Sequence, residues 1–146
     1  MSNLVETARG TLHEWQRDHM GHINVRAYME KFEEACWQLY AMLGLTPSVL
    51  RRGDVHLAAV QQNIAYRKEL YPGDTIVVRT GIVEIREKVL RFVHELVNTE
   101  TGEVSATCEF TVVCLDPQAR KSRAFPEQVR ERCRALLVQH EEGKSG

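Results

Sequence analysis

The sequence predicts an α+β domain, a mostly antiparallel sheet served by one long helix. Three observations predict it. Helical periodicity is concentrated in one long stretch, residues 25–43. Most of the chain beyond residue 60 alternates apolar and polar residues with the period of a strand. Turn-forming residues punctuate those alternating runs. An order of strand, long helix and then consecutive strands belongs to α+β architecture, not to alternating βαβ units.

Residues 6–16 place Leu12 and Trp15 among polar neighbours and predict a first strand. Residues 17–24, Arg-Asp-His-Met-Gly-His-Ile-Asn, form a polar stretch turning on Gly21 and predict a loop. The helix comes next, with Tyr28, Phe32, Ala35, Cys36, Leu39, Tyr40 and Leu43 on one stripe. Glu30, Lys31, Glu33, Glu34 and Gln38 fall mainly on the other side. Asn24 suits the N-cap, because its side chain can accept from an orphan amide. Gly44 suits the C-terminal stop, and Thr46-Pro47 closes off continuation.

The next run, Val60, Gln62, Ile64 and Tyr66, alternates and closes on Leu70 before a turn at Pro72-Gly73-Asp74. Residues 75–86 are rich in Ile, Val and Thr and predict a strand. Leu90, Phe92, His94 and Leu96 share a face of the next one, and residues 98–103 form a hairpin loop. Val104, Ala106, Cys108, Phe110, Val112 and Cys114 alternate along a long strand that Asp116-Pro117 stops. A terminal helix is expected over residues 127–140. The domain is expected to span residues 1–140, with a flexible tail at 141–146. One helix cannot cover such a sheet on both faces, so a dimer that joins sheets or buries the open face is expected.

Composition narrows the function. The 146 residues are enough for one core, and 43% apolar with 27% charged residues is ordinary for a globular protein. A formal net charge of -1 gives no broad pull toward nucleic acid or an anionic membrane. No apolar run approaches the ~20 residues of a membrane span. Met1 to Glu6 lacks the pattern of a signal peptide. Cys36, Cys108, Cys114 and Cys133 form no C-x-x-C pair and no zinc pattern, which fits reduced, packed thiols and a cytoplasmic protein.

Chemistry concentrates ahead of the helix. Asp18, His19, His22 and Asn24 lie within seven residues of one another, just before the free amides at Val25. That helix end suits an anion, including the oxyanion of a tetrahedral intermediate. A carboxylate beside it can attack a carbonyl or deprotonate a water that does. The same residues also suit a braced loop, in which Asp and Asn hydrogen-bond to nearby backbone.

Asp18-His19-Met20-Gly21-His22-Ile23-Asn24, with Tyr28 and Phe32-Glu33-Glu34-Ala35, resembles the signature of the 4-hydroxybenzoyl-CoA thioesterase-like hotdog family. Tyr66-Arg67-Lys68-Glu69-Leu70-Tyr71-Pro72-Gly73-Asp74 is similar to that family's second strand and Gly-Asp turn. Lys121-Ser122-Arg123-Ala124-Phe125-Pro126 resembles its exit from the last strand. The likeness covers roughly residues 10 to 130. It implies a hotdog fold, an antiparallel sheet wrapped around one long central helix, and hydrolysis of an acyl-CoA thioester to a carboxylic acid and free CoA. It implies a homodimer, or a tetramer built from two dimers, with active sites at the dimer interface. It implies Asp18 as the catalytic carboxylate and the Val25 amide as the donor to the thioester carbonyl. No cofactor is implied, since coenzyme A arrives as part of the substrate.

Two departures bear on the substrate. Gln16 stands where many members carry an acidic residue, and the interval from Trp15 to Asp18 is short. A branch including betainyl- and carnitinyl-CoA-type thioesterases shares the shorter spacing. His22 is expected to orient Asp18 or line the acyl pocket. Arg67 and Lys88 are the basic pair expected at the CoA phosphates, by analogy of position. No metal is expected at His13, His19 and His22, because no carboxylate sits at a recognised ligand spacing. His94 and Cys36 are expected in the core. The alternatives are a non-catalytic acyl-CoA sensor, which would lack an acidic residue at 18, and an enzyme acting on acyl-carrier-protein thioesters, which would need a basic docking rim.

Overall fold

The computed structural model describes residues 4–138. Strand β1 (Val5–Thr11) leads into a 3₁₀ turn (Glu14–Gln16) and helix α1 (Val25–Met42). A short helix α2 (Pro47–Arg51) precedes strands β2 (His56–Tyr66), β3 (Thr75–Ile85), β4 (Val89–Asn98) and β5 (Val104–Asp116). A two-residue strand β6 (Lys121–Ser122) and helix α3 (Glu127–Ala135) complete the order. The sheet runs β1-β3-β4-β5-β2, with β6 beside β5, and every pair of these strands is antiparallel. It curls around α1, giving the hotdog fold.

The core lies between α1 and the inner face of the sheet. Phe32, Ala35 and Leu39 project from α1, and Leu90, Phe92 and Leu96 meet them from β4. Cys108, Phe110 and Val112 add the β5 layer. Burial of each large apolar side chain contributes about 1.5–3 kcal/mol. His94 shares this face, as its place in the alternation predicts, and is wholly buried. Its Nδ1 is 2.7 Å from Thr80 Oγ1, which is 2.8 Å from Thr7 Oγ1. Thr7 donates to the Val78 carbonyl at 3.2 Å. With Thr7's proton so used, Thr80 donates to Thr7 and accepts from His94 Nδ1–H. The imidazole is then left to accept at Nε2, 3.4 Å from the Cys36 thiol. This chain satisfies every member, as a buried polar group requires.

Several local expectations are corrected. The first strand ends at Thr11, and Glu14–Gln16 turn as 3₁₀ helix, leaving Trp15 exposed. Pro47 does not merely block a helix. It opens α2 at a first-turn position whose amide needs no acceptor, with Thr46 as N-cap. Strand β2 starts at His56 and ends at Tyr66, so Leu70 is buried beyond the strand. Helix α3 stops at Ala135 because the next residues join the sheet. Ile82 N–H donates to Leu136 O at 3.1 Å, and Val138 N–H donates to Ile82 O at 2.7 Å. This strap takes over the β3 edge past Val5–Thr80, the last β1 pair. Positions 139–140 of the expected helix and the expected tail at 141–146 lie outside the described residues.

The two outer strands differ. β1 carries the Glu6–Arg9 ion pair and a bulge between Glu6 and Ala8. β2 is also bulged, between Ala59 and Gln61, but residues 57–66 bear no charge. Val60 and Tyr66 on β2 are 60% and 50% exposed, and Val25 and Trp37 on α1 are 59% and 51% exposed. No helix of the described residues is long and apolar enough to cross a membrane.

Candidate active site

Residues 17–23 form a miniature hairpin between the 3₁₀ turn and α1. Arg17 bridges Ile23, Asp18 N–H donates to His22 O at 2.8 Å, and Gly21 N–H donates to Asp18 O at 3.2 Å. Gly21 makes the turn at φ +93°, where a side chain would be strained. At the neck, Gln16 O accepts from Asn24 N–H at 2.8 Å and from Asn24 Nδ2 at 2.7 Å. Asn24 Oδ1 accepts from Ala27 N–H at 3.0 Å. One side chain therefore closes the loop and caps the helix. The amides of Val25 and Arg26 begin α1, where the helix itself supplies no acceptor.

Asp18 sits on this hairpin. Its Oδ1 accepts from Met20 N–H at 2.8 Å and His22 N–H at 3.3 Å, and its Oδ2 is 3.2 Å from His22 Nδ1. Desolvation pushes the carboxyl up. The amides of Met20 and His22, with the imidazoles of His22 and His19, outweigh that and hold it below the usual carboxylate range. His22 Nε2 is 3.4 Å from Glu69 Oε2, and Tyr71 donates to the other Glu69 oxygen at 2.9 Å.

A cleft of about 440 Å³ opens here. Asp18, His22, Ile23 and Val25 form one side, with Tyr28 at the first turn of α1. Tyr66, Arg67, Lys68 and Glu69 form the other. Tyr28 and Tyr66 meet edge to face, 5.2 Å between centroids.

Of the residues predicted from sequence, Asp18, His22, Val25 and Arg67 line this one cleft, and Asn24 supports it. Lys88 is not brought there within the chain. Arg67 N–H donates to Ser105 O, whereas Lys88 O accepts from Cys114 N–H. Those two β5 positions are about 30 Å apart along the strand. Sequence reasoning missed Glu69 as the partner of His22. Its segment was visible, but a pairing across so many residues leaves no local signal. Cys36 and His94 stand at the spacing of a Cys–His dyad, yet burial pushes the thiol up to about 12 and the imidazole down to about 3. Both are neutral, and Cys36 is a core residue.

The sequence matches a model of the Thioesterase-like superfamily over residues 12–133. It is 25% identical over 123 residues to an L-carnitine dehydrogenase/betainyl-CoA thioesterase of Rhizobium sp., covering 84% of this chain. The match spans about a quarter of that protein's length, 24%. Among solved structures, a Staphylococcus aureus protein in complex with CoA superposes with a TM-score of 0.86 at 20% identity. That superposition covers 99% of this chain and 92% of the other. A 1,4-dihydroxy-2-naphthoyl-CoA thioesterase from Synechocystis gives 0.81 at 17% identity, over 92% of this chain and 98% of the other.

Proposed function

The chain belongs to the Thioesterase-like superfamily, and from that premise we propose that it hydrolyses an acyl-CoA to a carboxylic acid and free CoA. One observation carries the reading: an ionised carboxylate, Asp18, shares a cleft with the amide end of a long helix. The names of the relatives support the CoA ester, since two are thioesterases of CoA thioesters and one neighbour holds CoA.

The thioester carbonyl accepts from the Val25 amide, where the positive end of the α1 dipole stabilises the developing oxyanion. Asp18 takes a proton from water as the water oxygen bonds to the carbonyl carbon. The tetrahedral intermediate collapses, the C–S bond breaks, and the proton passes to the leaving thiolate. In the other route Asp18 attacks the carbonyl itself, forming a mixed anhydride that water cleaves. His22, held by Glu69, fixes the carboxylate's orientation in either route. Arg67 lies at the cleft and suits a CoA phosphate.

The site is proposed to work as a homodimer. A strand edge without charge invites pairing with another strand, and β2 is such an edge. Beside it, Val25, Trp37, Val60 and Tyr66 form an exposed apolar margin on α1 and β2. Antiparallel pairing of β2 with its own copy sets residue 66 near residue 56 of the second chain. That arrangement carries Lys88 of the second chain to within about three strand spacings, ~15 Å, of the cleft.

Free-thiol release from a panel of acyl-CoAs, spanning short, branched, long, aromatic and quaternary-ammonium groups, tests the reading. Asp18→Asn should lower turnover by a factor on the order of 10²–10⁴ while leaving binding less affected. Wild-type turnover in Asp18→Asn would overturn the assignment. A single turnover in ¹⁸O-water that leaves label in Asp18 would establish the anhydride route, since general-base catalysis cannot place it there.

A further inference from the structure

The hairpin that carries Asp18 settles only part of the site's geometry. Asp18 Oδ1 accepts from the amides of Met20 and His22, which leaves Oδ2 as the reacting oxygen. Oδ2 faces the His22 imidazole at 3.2 Å, so its place depends on how that ring is turned. The far nitrogen of the ring faces Glu69, on the segment that follows β2.

That segment, residues 67–74, is built as a platform. Leu70 is buried, and its carbonyl accepts from Ile23 N–H at 2.7 Å, on the outgoing side of the hairpin. Ahead of the hairpin, Leu12 N–H donates to Asp74 O at 3.0 Å and Leu12 O accepts from Gly73 N–H at 2.8 Å. Asp74 Oδ2 accepts from Tyr71 N–H at 2.9 Å and closes the turn. The segment is thus bonded to the chain on both sides of the hairpin. From this base the Tyr71 hydroxyl donates to Glu69 Oε1 at 2.9 Å, and its ring meets the His22 ring edge to face, 6.4 Å between centroids. The phenol is pushed up, first by that hydrogen bond and then by the Glu69 charge, as a donor held by a carboxylate should be. Glu69 Oε2 is left to face His22 Nε2 at 3.4 Å. The Glu69 side chain is 61% exposed and Tyr71 48%. Contacts so exposed add little to folding stability, so the use of this chain of contacts lies elsewhere.

We propose that Tyr71 and Glu69 are positioning residues for the hydrolysis: Tyr71 sets the Glu69 carboxylate, Glu69 sets the His22 ring, and the ring sets Asp18 Oδ2. This rests on the thioesterase reading and adds to it that the turn between β2 and β3 governs turnover together with the hairpin. Both residues act through His22, so their loss falls on kcat and leaves KM unchanged. Displacing a reacting group by about 1 Å can cost on the order of 100-fold in rate. Losing one neutral hydrogen bond further out costs less, a factor of about 2–10.

Thiol release on the best acyl-CoA of the panel supplies kcat and KM for each variant. Glu69→Ala should lower kcat on the order of tenfold. Glutamine keeps the length of the side chain and an oxygen acceptor, so Glu69→Gln should restore most of that loss. Tyr71→Phe should lower kcat by a factor of about 2–10 alone, and by nothing further in the Glu69→Ala background. Glu69→Ala should likewise add nothing to His22→Ala. A loss expressed in KM makes Glu69 a substrate contact and overturns the proposal. Wild-type kcat in Glu69→Ala, a Glu69→Gln as slow as Glu69→Ala, or additive losses in the double variants overturn it too. Urea midpoints should match wild type, and a fall in kcat that tracks a fall in midpoint also overturns it. Wild-type inactivity on every CoA ester, or full activity in Asp18→Asn, instead strikes the underlying thioesterase reading.

Discussion

Lowering the pH from 7 to 5 should destabilise this protein through one residue, His94. In the folded chain burial holds its imidazole down to about 3, against 6.5 when unfolded. Between those values the unfolded chain binds a proton that the folded chain refuses, so stability rises with pH across that window. The contribution is complete near neutrality and is lost as pH falls below 6.5. Each unit is worth about 1.4 kcal/mol, so pH 5 removes roughly 2 kcal/mol and pH 3 approaches 5. The geometry gives the cause. Nδ1–H is committed to Thr80, and Nε2 faces only the Cys36 thiol, with Phe32, Phe92 and Phe110 around the ring. No carboxylate stands by to receive a charge. Urea unfolding at pH 7, 6 and 5, followed by tryptophan fluorescence, measures the decline. His94→Leu removes the titration. It should be less stable than wild type at pH 7, by about 1–3 kcal/mol for the broken chain. Its decline toward pH 5 should be shallower than wild type's by roughly 2 kcal/mol. Parallel declines in the two proteins would refute the reasoning.

The two duties of Asn24 can be separated. Asn24→Ala should cost about 1 kcal/mol in unfolding experiments and also reduce turnover. Asn24→Asp keeps the cap to Ala27 but loses the donor to Gln16 O, so its melting temperature should change little while kcat falls. Gly81→Ala should destabilise by roughly 1–3 kcal/mol in calorimetry, because the new Cβ would lie 2.2 Å from Val138 Cγ2 and 2.4 Å from Leu4 Cδ2. The acid limb of kcat/KM should lie below the usual carboxylate range. Asp18 is held low by its amide donors, so activity measured on the stable fraction should persist below pH 4.5.

Legibility in the sequence followed burial. α1 and strands β3, β4 and β5 each bury one face, so their apolar periods are clean and their bounds came within a residue or two. β2 was legible only in part. Gln61, Gln62 and Asn63 interrupt its pattern because the middle of the strand is exposed on both faces in the single chain. The end of α3 misled for the opposite reason: Leu136, Leu137 and Val138 are apolar because they strap β3, not because a helix continues. At the site, Asp18, His22 and Asn24 were legible because one local loop gathers them. Arg67 and Lys88 look equivalent as exposed cations, and only strand register shows that they occupy opposite ends of the sheet. The Glu69–His22 contact depends on where the chain after β2 returns, which no local pattern encodes.

The miniature hairpin has a kinetic consequence. Its rungs, its neck at Gln16 and its cap on Ala27 join residues no more than eight positions apart. Contacts of such short span close quickly, whereas β2 reaches its place only by pairing with β5 across forty or more residues. The hairpin bearing Asp18 is therefore assembled early, and the wall bearing Tyr66 and Glu69 arrives late. In refolding, helical ellipticity should return first, and thiol release should come back with the slower phase that docks β2.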